Sequence, residues 1–510
     1  MRFFIGYTLA ASLAVLPHAS ALPYPFQRPR DGYTNIAIRG VDVLNDLGPQ
    51  LSPQASIVLP TDAEFDNLTA RYSEFDRPTF VAVANPGIEA DVAVIVKYAN
   101  NVNIPFLAVN RGHGTVRTQG RLQHGLEINI GALSEFQISD DGRSVRAQGG
   151  VWGENIIPSL WDAGYVTTTG SCGCVGLLGP GLGGGFGRYM GFYGMVSDSF
   201  ISFNLVLANG TEVTVSQDEN PDLFWAMRGA GHNFGVVTSF VKEIHPRTVD
   251  SWYYVSYLFT QDKLEALTEA VNTQNDLGRQ PRELVTGLII AYVPQISTTE
   301  PLIYMTFQYV GSKEQATALY APFDALGPVS REEGNAPYPE LFARTTSSSA
   351  DPLCQKGFSH VQYPVGLVRY NVTTQRQIYE HFKEVTTAQP AYFNASVVLE
   401  TYSVAGVKAI PSDSSAYPHR EDNILVATNV QYVPDPALDE GAITFAREMR
   451  DIWQAGQPER RLNAYVNYAF GDEPLEQVYG YEPWRLERLR EAKREYDPNG
   501  RFNFYNPITY

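Results

Sequence analysis

Residues 104–115 read IPFLAVNRGHGT, an apolar run that ends in a loop with a histidine between two glycines. Upstream, the apolar run 80–84 and apolar residues at helical spacing between positions 92 and 99 complete the pattern of a β-α-β unit. In a loop that directly follows a strand, His113 faces whatever the loop holds, and Arg111 supplies a positive charge for a phosphate group. This stretch therefore predicts an α+β domain with a ligand-binding loop.

A second informative stretch is glycine-rich and reads GLLGPGLGGGFG at residues 176–187. Without Cβ atoms, its backbone amides can approach a ligand closely and donate to phosphate or ring oxygens. A flexible linker is the alternative, but interleaved leucine and phenylalanine are unusual in linkers. The spacing Gly179-x-Gly181-x-x-Gly184 matches the dinucleotide-binding expression, yet no strand precedes it and Pro180 interrupts it. We therefore interpret the stretch as a ligand-contacting loop of another kind.

The rest of the sequence indicates two regions that differ in their pattern of apolar residues. Strands are expected at 126–130, 144–148, 200–207, 212–215 and 234–240, and His245-Pro246 marks a boundary. Between 248 and 455, alternating runs are separated by amphipathic helices, which favours a sheet covered by helices on one face. The chain is divided accordingly into 1–21, 22–76, 77–247, 248–455 and 456–510.

Composition excludes several classes of function. The 510 residues are 44% hydrophobic and 18% charged, which is typical of a globular protein with a large core. Lys plus Arg number 38 and Asp plus Glu number 55, for a net charge of −17, and no basic block is present. Nucleic acid is therefore not an expected partner.

The first 21 residues carry the pattern of a cleaved secretory signal, with Arg2, an apolar run and a small-residue end at Ala19-Ser20-Ala21. The apolar run is too short to span a membrane and no other segment qualifies, so we expect a secreted protein without membrane contact. Glycosylation sequons agree with export and occur at Asn67, Asn209, Asn371 and Asn394.

Only three cysteines occur, at positions 172, 174 and 354. This is too few for a disulfide scaffold, and the odd number requires another role for at least one thiol. Cys172 and Cys174 lack further Cys or His at metal-ligand spacing, so no metal is expected.

As a set, several blocks resemble the berberine bridge enzyme-like group of the vanillyl-alcohol oxidase (PCMH-type) flavoproteins. They lie at 111–114, 170–187, 220–237, 465–468 and 497–502, so that the resemblance spans roughly residues 77–508. It implies an α+β fold in which a two-subdomain PCMH-type FAD-binding domain, 77–247, precedes a substrate domain, 248–455, with an antiparallel sheet covered by helices. The C-terminal segment 456–510 is expected to return to the FAD domain.

The resemblance also implies covalently bound FAD. His113 matches the histidine attached to the 8α methyl, although one glycine precedes it where the family usually has two. Cys172 matches a cysteine that in some members forms a second bond at ring carbon 6; Cys174 and Cys354 are then left free or paired. The residues expected to bind the cofactor are Arg111, Gly112, His113, Gly114, Thr115, Gly170, Cys172, Gly176, Leu177, Gly183, Gly184, Gly185, Gly235 and Val237.

The catalytic base is less clearly marked. The strand that carries a catalytic glutamate in berberine bridge enzyme corresponds here to 424–432, which contains no Glu or Asp. Tyr465 and Tyr468 are therefore the candidates for the base. The alternative, of equal weight, is that both are core aromatic residues on a strand. A neutral wall at 424–432 and the negative net charge favour an uncharged or weakly polar alcohol as substrate.

The function expected from this sequence is a secreted FAD-dependent oxidase that takes a hydride from a small-molecule alcohol or similar secondary metabolite and passes electrons to oxygen. Three alternatives stay open: an oligosaccharide oxidase, a flavin enzyme that catalyses a net non-redox cyclisation, and a flavin-binding protein without turnover.

Overall fold

The computed structural model describes residues 42–509. The predicted signal sequence, 1–21, lies outside the described residues. Within them, no helix has both the length and the apolar character that a membrane span requires.

Strands and helices alternate through the first half of the chain, as the sequence predicts. The strands are β1 (Ser56–Val58), β2 (Phe80–Asn85), β3 (Phe106–Val109), β4 (Gly125–Asn129), β5 (Phe136–Ile138), β6 (Ser144–Gln148), β7 (Tyr165–Val166), β8 (Phe200–Val206), β9 (Glu212–Ser216), β10 (Val236–Glu243) and β11 (His245–Pro246). The helices are α1 (Val43–Leu47), α2 (Phe65–Leu68), α3 (Glu89–Asn101), α4 (Gly153–Asp162), α5 (Leu178–Leu182), α6 (Met190–Tyr193) and α7 (Pro221–Ala230).

The predicted β-α-β unit is confirmed by β2, α3 and β3. These strands belong to a four-stranded sheet of order β1-β2-β4-β3, in which β4 pairs in parallel with both β2 and β3. Strands β2 and β3 run in the same direction on either side of β4, so the chain must cross over between them. Helix α3 supplies this crossover and buries its Val92, Ile95 and Val96 face against the sheet. The crossover places the loop after β3 at the edge of the sheet.

A second sheet is antiparallel, with the order β5-β6-β10-β8-β9. Strands β8 and β9 form a hairpin that turns at Asn209 and Gly210, as predicted. Gly210 has a φ of +80°, a conformation that favours glycine. A short pair, β7 with β11, completes this half.

The second half is built on one antiparallel sheet of order β15-β12-β14-β13-β17-β18-β16. Its strands are β12 (Trp252–Phe259), β13 (Leu284–Val293), β14 (Ser297–Tyr309), β15 (Ser330–Ala336), β16 (Ser359–Leu367), β17 (Ser396–Tyr402) and β18 (Ile424–Tyr432). The helices from here to the C-terminus are α8 (Leu264–Asn275), α9 (Lys313–Asp324), α10 (Leu341–Arg344), α11 (Val372–Ala388), α12 (Ala405–Lys408), α13 (Pro436–Ala455), α14 (Leu475–Tyr479) and α15 (Pro483–Tyr496).

Helices α8, α9, α11 and α13 share one hydrophobic core with one face of this sheet. In α13, Phe445, Met449 and Trp453 are buried at helical spacing, so the helix turns one apolar stripe toward the strands. The opposite face of the sheet is turned toward the loops of the first half. The predicted sheet covered by helices on one face is therefore confirmed.

The C-terminal segment packs against the first half of the chain. The buried Lys493 ammonium donates to the carboxylate of Asp497 and to the backbone oxygens of Asn233 and Phe502. The Ile508 amide donates to the side chain of Asn233. A buried ion pair with all its donors satisfied fixes this segment beside the end of α7.

Candidate functional site

A cavity of about 470 Å³ lies between the loops of the first half and the open face of the seven-stranded sheet. Its volume is within the usual range for a small-molecule site. Ten of the residues singled out from the sequence line it: Arg111, Gly112, His113, Gly114, Thr115, Cys172, Gly176, Gly235, Val237 and Tyr468. The fold therefore brings the loop after β3 and the glycine-rich segment to one place.

The loop after β3 offers free backbone donors to this cavity. Gly112 has a φ of +70°, and the amides of Gly112, His113 and Gly114 donate to no acceptor within residues 42–509. The Arg111 guanidinium lies 4.9 Å from the centre of the Trp152 ring. Successive free amides beside a guanidinium are a suitable donor set for a pyrophosphate group.

The glycine-rich wall packs closely against Asn110, which directly follows β3. A Cβ at Gly176 would lie 2.7 Å from Asn110 Nδ2, and Asn110 Oδ1 is a buried oxygen without a partner. Since buried polar atoms normally find partners, a bound group fits here. These donors and the free acceptor together fit FAD.

His113 is held as a neutral imidazole. Its burial, together with the nearby charges of Lys356 and Arg111, lowers its pKa to about 4. The ring stacks on Tyr72 with 4.7 Å between centroids. A neutral imidazole keeps a nitrogen lone pair available, which a covalent bond to a cofactor requires.

Cys172 is a free thiol, and Cys174 forms a disulfide with Cys354. Of the two states predicted for Cys174 and Cys354, free or paired, the structure shows the paired one. Burial raises the pKa of Cys172 to about 11; the charge of Glu400 adds to this rise and that of Arg188 opposes it. The thiol therefore lines the cavity beside both a carboxyl group and a guanidinium.

Arg188 connects the Cys172 segment to the sheet. Its guanidinium donates to the backbone oxygen of Ser171, to Gln308 on β14, and to the hydroxyls of Thr345 and Ser347. It is 3% exposed and has no carboxylate partner among the described residues. These bonds hold Ser171 and its neighbour Cys172 against the cavity wall.

The wall that residues 424–432 contribute is neutral, as predicted, but the cavity as a whole does contain a carboxylate. Strand β18 does line the cavity, through Ala427 and Asn429, but the adjacent strand β17 places Glu400 there as well. In β17, Val398, Glu400 and Tyr402 point to the cavity face because side chains alternate along a strand. Sequence reasoning missed Glu400 because it examined the neighbouring strand; a single carboxylate inside an apolar strand was the available signal.

Glu400 has the electrostatic setting of a proton acceptor. Enclosure by the protein raises its pKa to about 7, while the hydroxyls of Tyr402 and Tyr468 act to lower it. Tyr402 donates to Glu400 Oε1 over 3.2 Å and lies 2.9 Å from Ser171 Oγ. Gly287 of β13 lies opposite Glu400 in the pairing of β13 with β17, and it leaves open space because it has no side chain. A carboxyl group of this kind changes protonation near neutral pH.

The two tyrosines singled out from the sequence lie in different places. Tyr468 lines the large cavity beside Glu400. Tyr465 lies behind it, stacked on Phe186, and its oxygen accepts hydrogen bonds from the Gly185 amide and Asn467. Tyr468 is thus the better placed of the two to meet a ligand.

The other predicted cofactor residues lie outside the cavity wall. Gly183, Gly184 and Gly185 pack against neighbouring side chains, where a Cβ would come within 3 Å of Asn467, Met195 and Val196, respectively. Leu177 is buried in the core and Gly170 packs near Pro180. These residues shape the backbone that supports the wall.

Two further predictions concern the glycosylation sequons and metal binding. All four sequon asparagines, Asn67, Asn209, Asn371 and Asn394, are exposed. Among the described residues, the one group of three possible metal ligands is His113 with Cys174 and Cys354, whose sulfurs are bonded to each other.

Comparison with known proteins gives consistent matches. The family described as FAD binding domain matches residues 80–216, and the family described as berberine and berberine like matches 464–509. FAD-linked oxidoreductase anuG of Penicillium roqueforti is 48% identical over 93% of this chain and 94% of its own length.

Solved structures share the fold at low sequence identity. BBE-like 1 of Physcomitrella patens has a TM-score of 0.78 at 20% identity, covering 92% of this chain and 100% of its own. A glucooligosaccharide oxidase from Acremonium strictum, described with 6-S-cysteinyl, 8α-N1-histidyl FAD, has a TM-score of 0.78 at 19% identity, covering 92% and 99%.

Proposed function

Since the chain belongs to the berberine bridge enzyme-like FAD-linked oxidoreductases, with FAD as its cofactor, we propose that it oxidises a small-molecule alcohol or similar secondary metabolite and passes the electrons to oxygen. The observation that carries this proposal is the position of Glu400, with Tyr402 and Tyr468, in the wall of the cavity that His113 and Cys172 also line.

The chain's own residues would hold the cofactor at two points. The free amides of Gly112, His113 and Gly114, with Arg111, suit the pyrophosphate, and the neutral His113 ring suits a covalent bond. Cys172 is the candidate for a second bond. The glucooligosaccharide oxidase with histidyl and cysteinyl FAD supports this two-point attachment. When bound, FAD supplies the acceptor for a hydride from the substrate carbon.

The proton of the substrate hydroxyl would go to Glu400. A general base works best when its pKa lies near the working pH, and Glu400 meets this condition with a pKa of about 7. Tyr402 and Tyr468 position the carboxylate and stabilise its charged form, since both hydroxyls lower that pKa. The phenol of Tyr468 itself is a poor base, because burial raises its pKa well above the ordinary value.

Secretion is the compartment that the chain's chemistry favours. A disulfide between Cys174 and Cys354 persists in an oxidising environment, and the exposed sequon asparagines are accessible to glycosylation. Outside the cell, oxygen is an available electron acceptor, whereas a nicotinamide pool is not. Secretion and oxygen use therefore form one coherent proposal.

A substrate screen with hydrogen peroxide as readout tests this function. Purified holoenzyme is offered a panel of alcohols, amines and oligosaccharides, and we expect peroxide with at least one alcohol. The Glu400→Gln variant should bind FAD but release little peroxide with the same substrate.

Three results would contradict the proposal. Exclusive turnover of oligosaccharides would indicate an oligosaccharide oxidase, and a product of the same mass as the substrate would indicate a net non-redox cyclisation. No turnover of any compound by flavin-loaded protein, even with artificial electron acceptors, would indicate a binding protein.

A further inference from the structure

A second, small cavity shares Glu400 with the large one. It has a volume of about 20 Å³, and its lining includes Glu400, Tyr417, Asp422 and Val404. Glu400 lines both cavities, as does Tyr402, so these residues of β17 contact both spaces.

The small cavity has the size and chemistry of a single-water site. A water molecule needs roughly 10–15 Å³ of such volume and two to four polar partners. Glu400 Oε2 and Asn423 Oδ1 belong to residues of this wall, and both oxygens are buried without a hydrogen-bond partner among the described residues. Asp422 contributes a carboxylate to the same wall. An empty cavity would leave these groups unsatisfied, at a cost of about 1–3 kcal/mol for each buried polar group.

Asp422 leads from this cavity to the surface. Its carboxylate pairs with Arg460 at 2.5 Å and accepts from Asn463 at 2.6 Å. The side chain of Asp422 is 11% exposed and that of Arg460 is 26% exposed. Asp422 is therefore in contact with solvent on one side and with the cavity on the other.

We propose that the small cavity holds one water molecule that connects Glu400 to Asp422, and that this connection is the path by which Glu400 exchanges its proton with solvent. The inference rests on the proposed role of Glu400 as proton acceptor. A ligand in the large cavity would exclude water from that face of Glu400, which leaves the path through the small cavity for the proton. The proton leaves the carboxyl oxygen, the bridging water passes a proton on to Asp422, and solvent removes it beside Arg460.

Other titratable groups surround both ends of this path. Facing Glu400 are Tyr402, Tyr465, Tyr468 and Cys172; facing Asp422 are Tyr417, His419 and Arg460. Burial raises the pKa of the tyrosines Tyr402, Tyr417, Tyr465 and Tyr468, so they can donate hydrogen bonds but do not ionise near neutral pH.

The path can be tested by infrared spectroscopy of the holoenzyme near pH 6, with the large cavity filled by a saturating methyl ether of the alcohol found in the peroxide screen. The carbonyl band of protonated Glu400 is identified as the band that Glu400→Gln removes. The rate at which this band shifts after transfer to D₂O measures the rate of proton exchange. Val404→Leu adds a methylene to the small cavity, and Asp422→Asn removes the proton acceptor. The control is Val407→Leu, the same change at a buried residue outside the cavity.

We expect exchange at least about tenfold slower in Val404→Leu and Asp422→Asn, and unchanged in Val407→Leu; a tenfold change corresponds to about 1.4 kcal/mol in the barrier. A crystal structure should show one ordered water within hydrogen-bond distance of Glu400 Oε2. Equally fast exchange in all variants, or a dry cavity, overturns the path but not the role of Glu400. If no band is lost in Glu400→Gln, both the path and the proposed base are overturned.

Discussion

At the residue scale, the protonation of Glu400 should govern activity. Its raised pKa of about 7 leaves it protonated, and so unable to accept a proton, at lower pH. We expect kcat/KM of the wild type to rise as the pH increases through about 7. Glu400→Gln should lower kcat/KM by roughly 10²–10⁴-fold, the usual contribution of a general base. Initial rates of peroxide release, measured over a range of pH, check both predictions. The control is Glu212→Gln, a substitution of an exposed residue. A profile without an inflection near 7 would contradict the assignment.

Tyr402 provides a second test at this scale, because its hydroxyl donates to Glu400 and lowers the pKa of that carboxyl. Tyr402→Phe removes this stabilisation of the charged form, so the pKa of Glu400 should rise. We expect the rising limb of the pH profile to move to higher pH, while the maximal rate at high pH changes little. A shift to lower pH, or none, would show that the hydroxyl does not act on Glu400.

Attachment of the cofactor is a third residue-scale prediction. Acid-precipitated wild-type protein should stay yellow if, as proposed, FAD is bound covalently. His113→Ala should lose the histidyl bond and keep a cysteinyl bond at Cys172; the double variant with Cys172→Ala should release all flavin into the supernatant. Mass spectra of tryptic peptides locate each bond, and a wild-type pellet without flavin would refute covalent attachment.

At the scale of elements, the pairing of β13 with β17 keeps space open in front of Glu400. Gly287 lies opposite Glu400 in this pairing, and a Cβ there would lie 3.4 Å from Thr306 Oγ1. Gly287→Val should fit the strand but narrow the cavity, so we expect KM to rise at least about tenfold, a loss of ~1.4 kcal/mol of binding. FAD content, measured by absorbance, should stay unchanged. An unaltered KM would place the substrate elsewhere.

At the scale of the whole molecule, the disulfide joins the two halves of the site. Cys174 follows the segment that holds Cys172, and Cys354 precedes β16; the two are separated by 180 residues in sequence. Replacing both by alanine should destabilise the fold by about 2–4 kcal/mol, as removal of a cross-link over a long loop does. Thermal unfolding of this variant should begin at lower temperature than that of Cys172→Ala. Equal melting temperatures would show that the disulfide adds no stability.

Much of the fold was predictable because strand and helix patterns are local. The alternation and helical spacing at β2, α3 and β3 identified a β-α-β unit, and β6 was predicted with its observed bounds. The loop at 111–115, which lines the cavity, could be singled out because its glycines and histidine are adjacent in the chain. Local patterns of this kind depend on the backbone and on nearest neighbours, which the sequence states directly.

The sequence by itself determined the helix-covered sheet and the two loops that line the cavity, including the position of His113 in one of them. Only the tertiary structure decided that Glu400, rather than a residue of β18, faces the cavity, and that Arg188 ties Ser171 to Gln308. It also decided which cysteines pair. The physical reason is that a side chain's partners and burial, and hence its pKa, depend on strands that pack together from distant parts of the chain. Strand order and register create these contacts, and no local pattern encodes them.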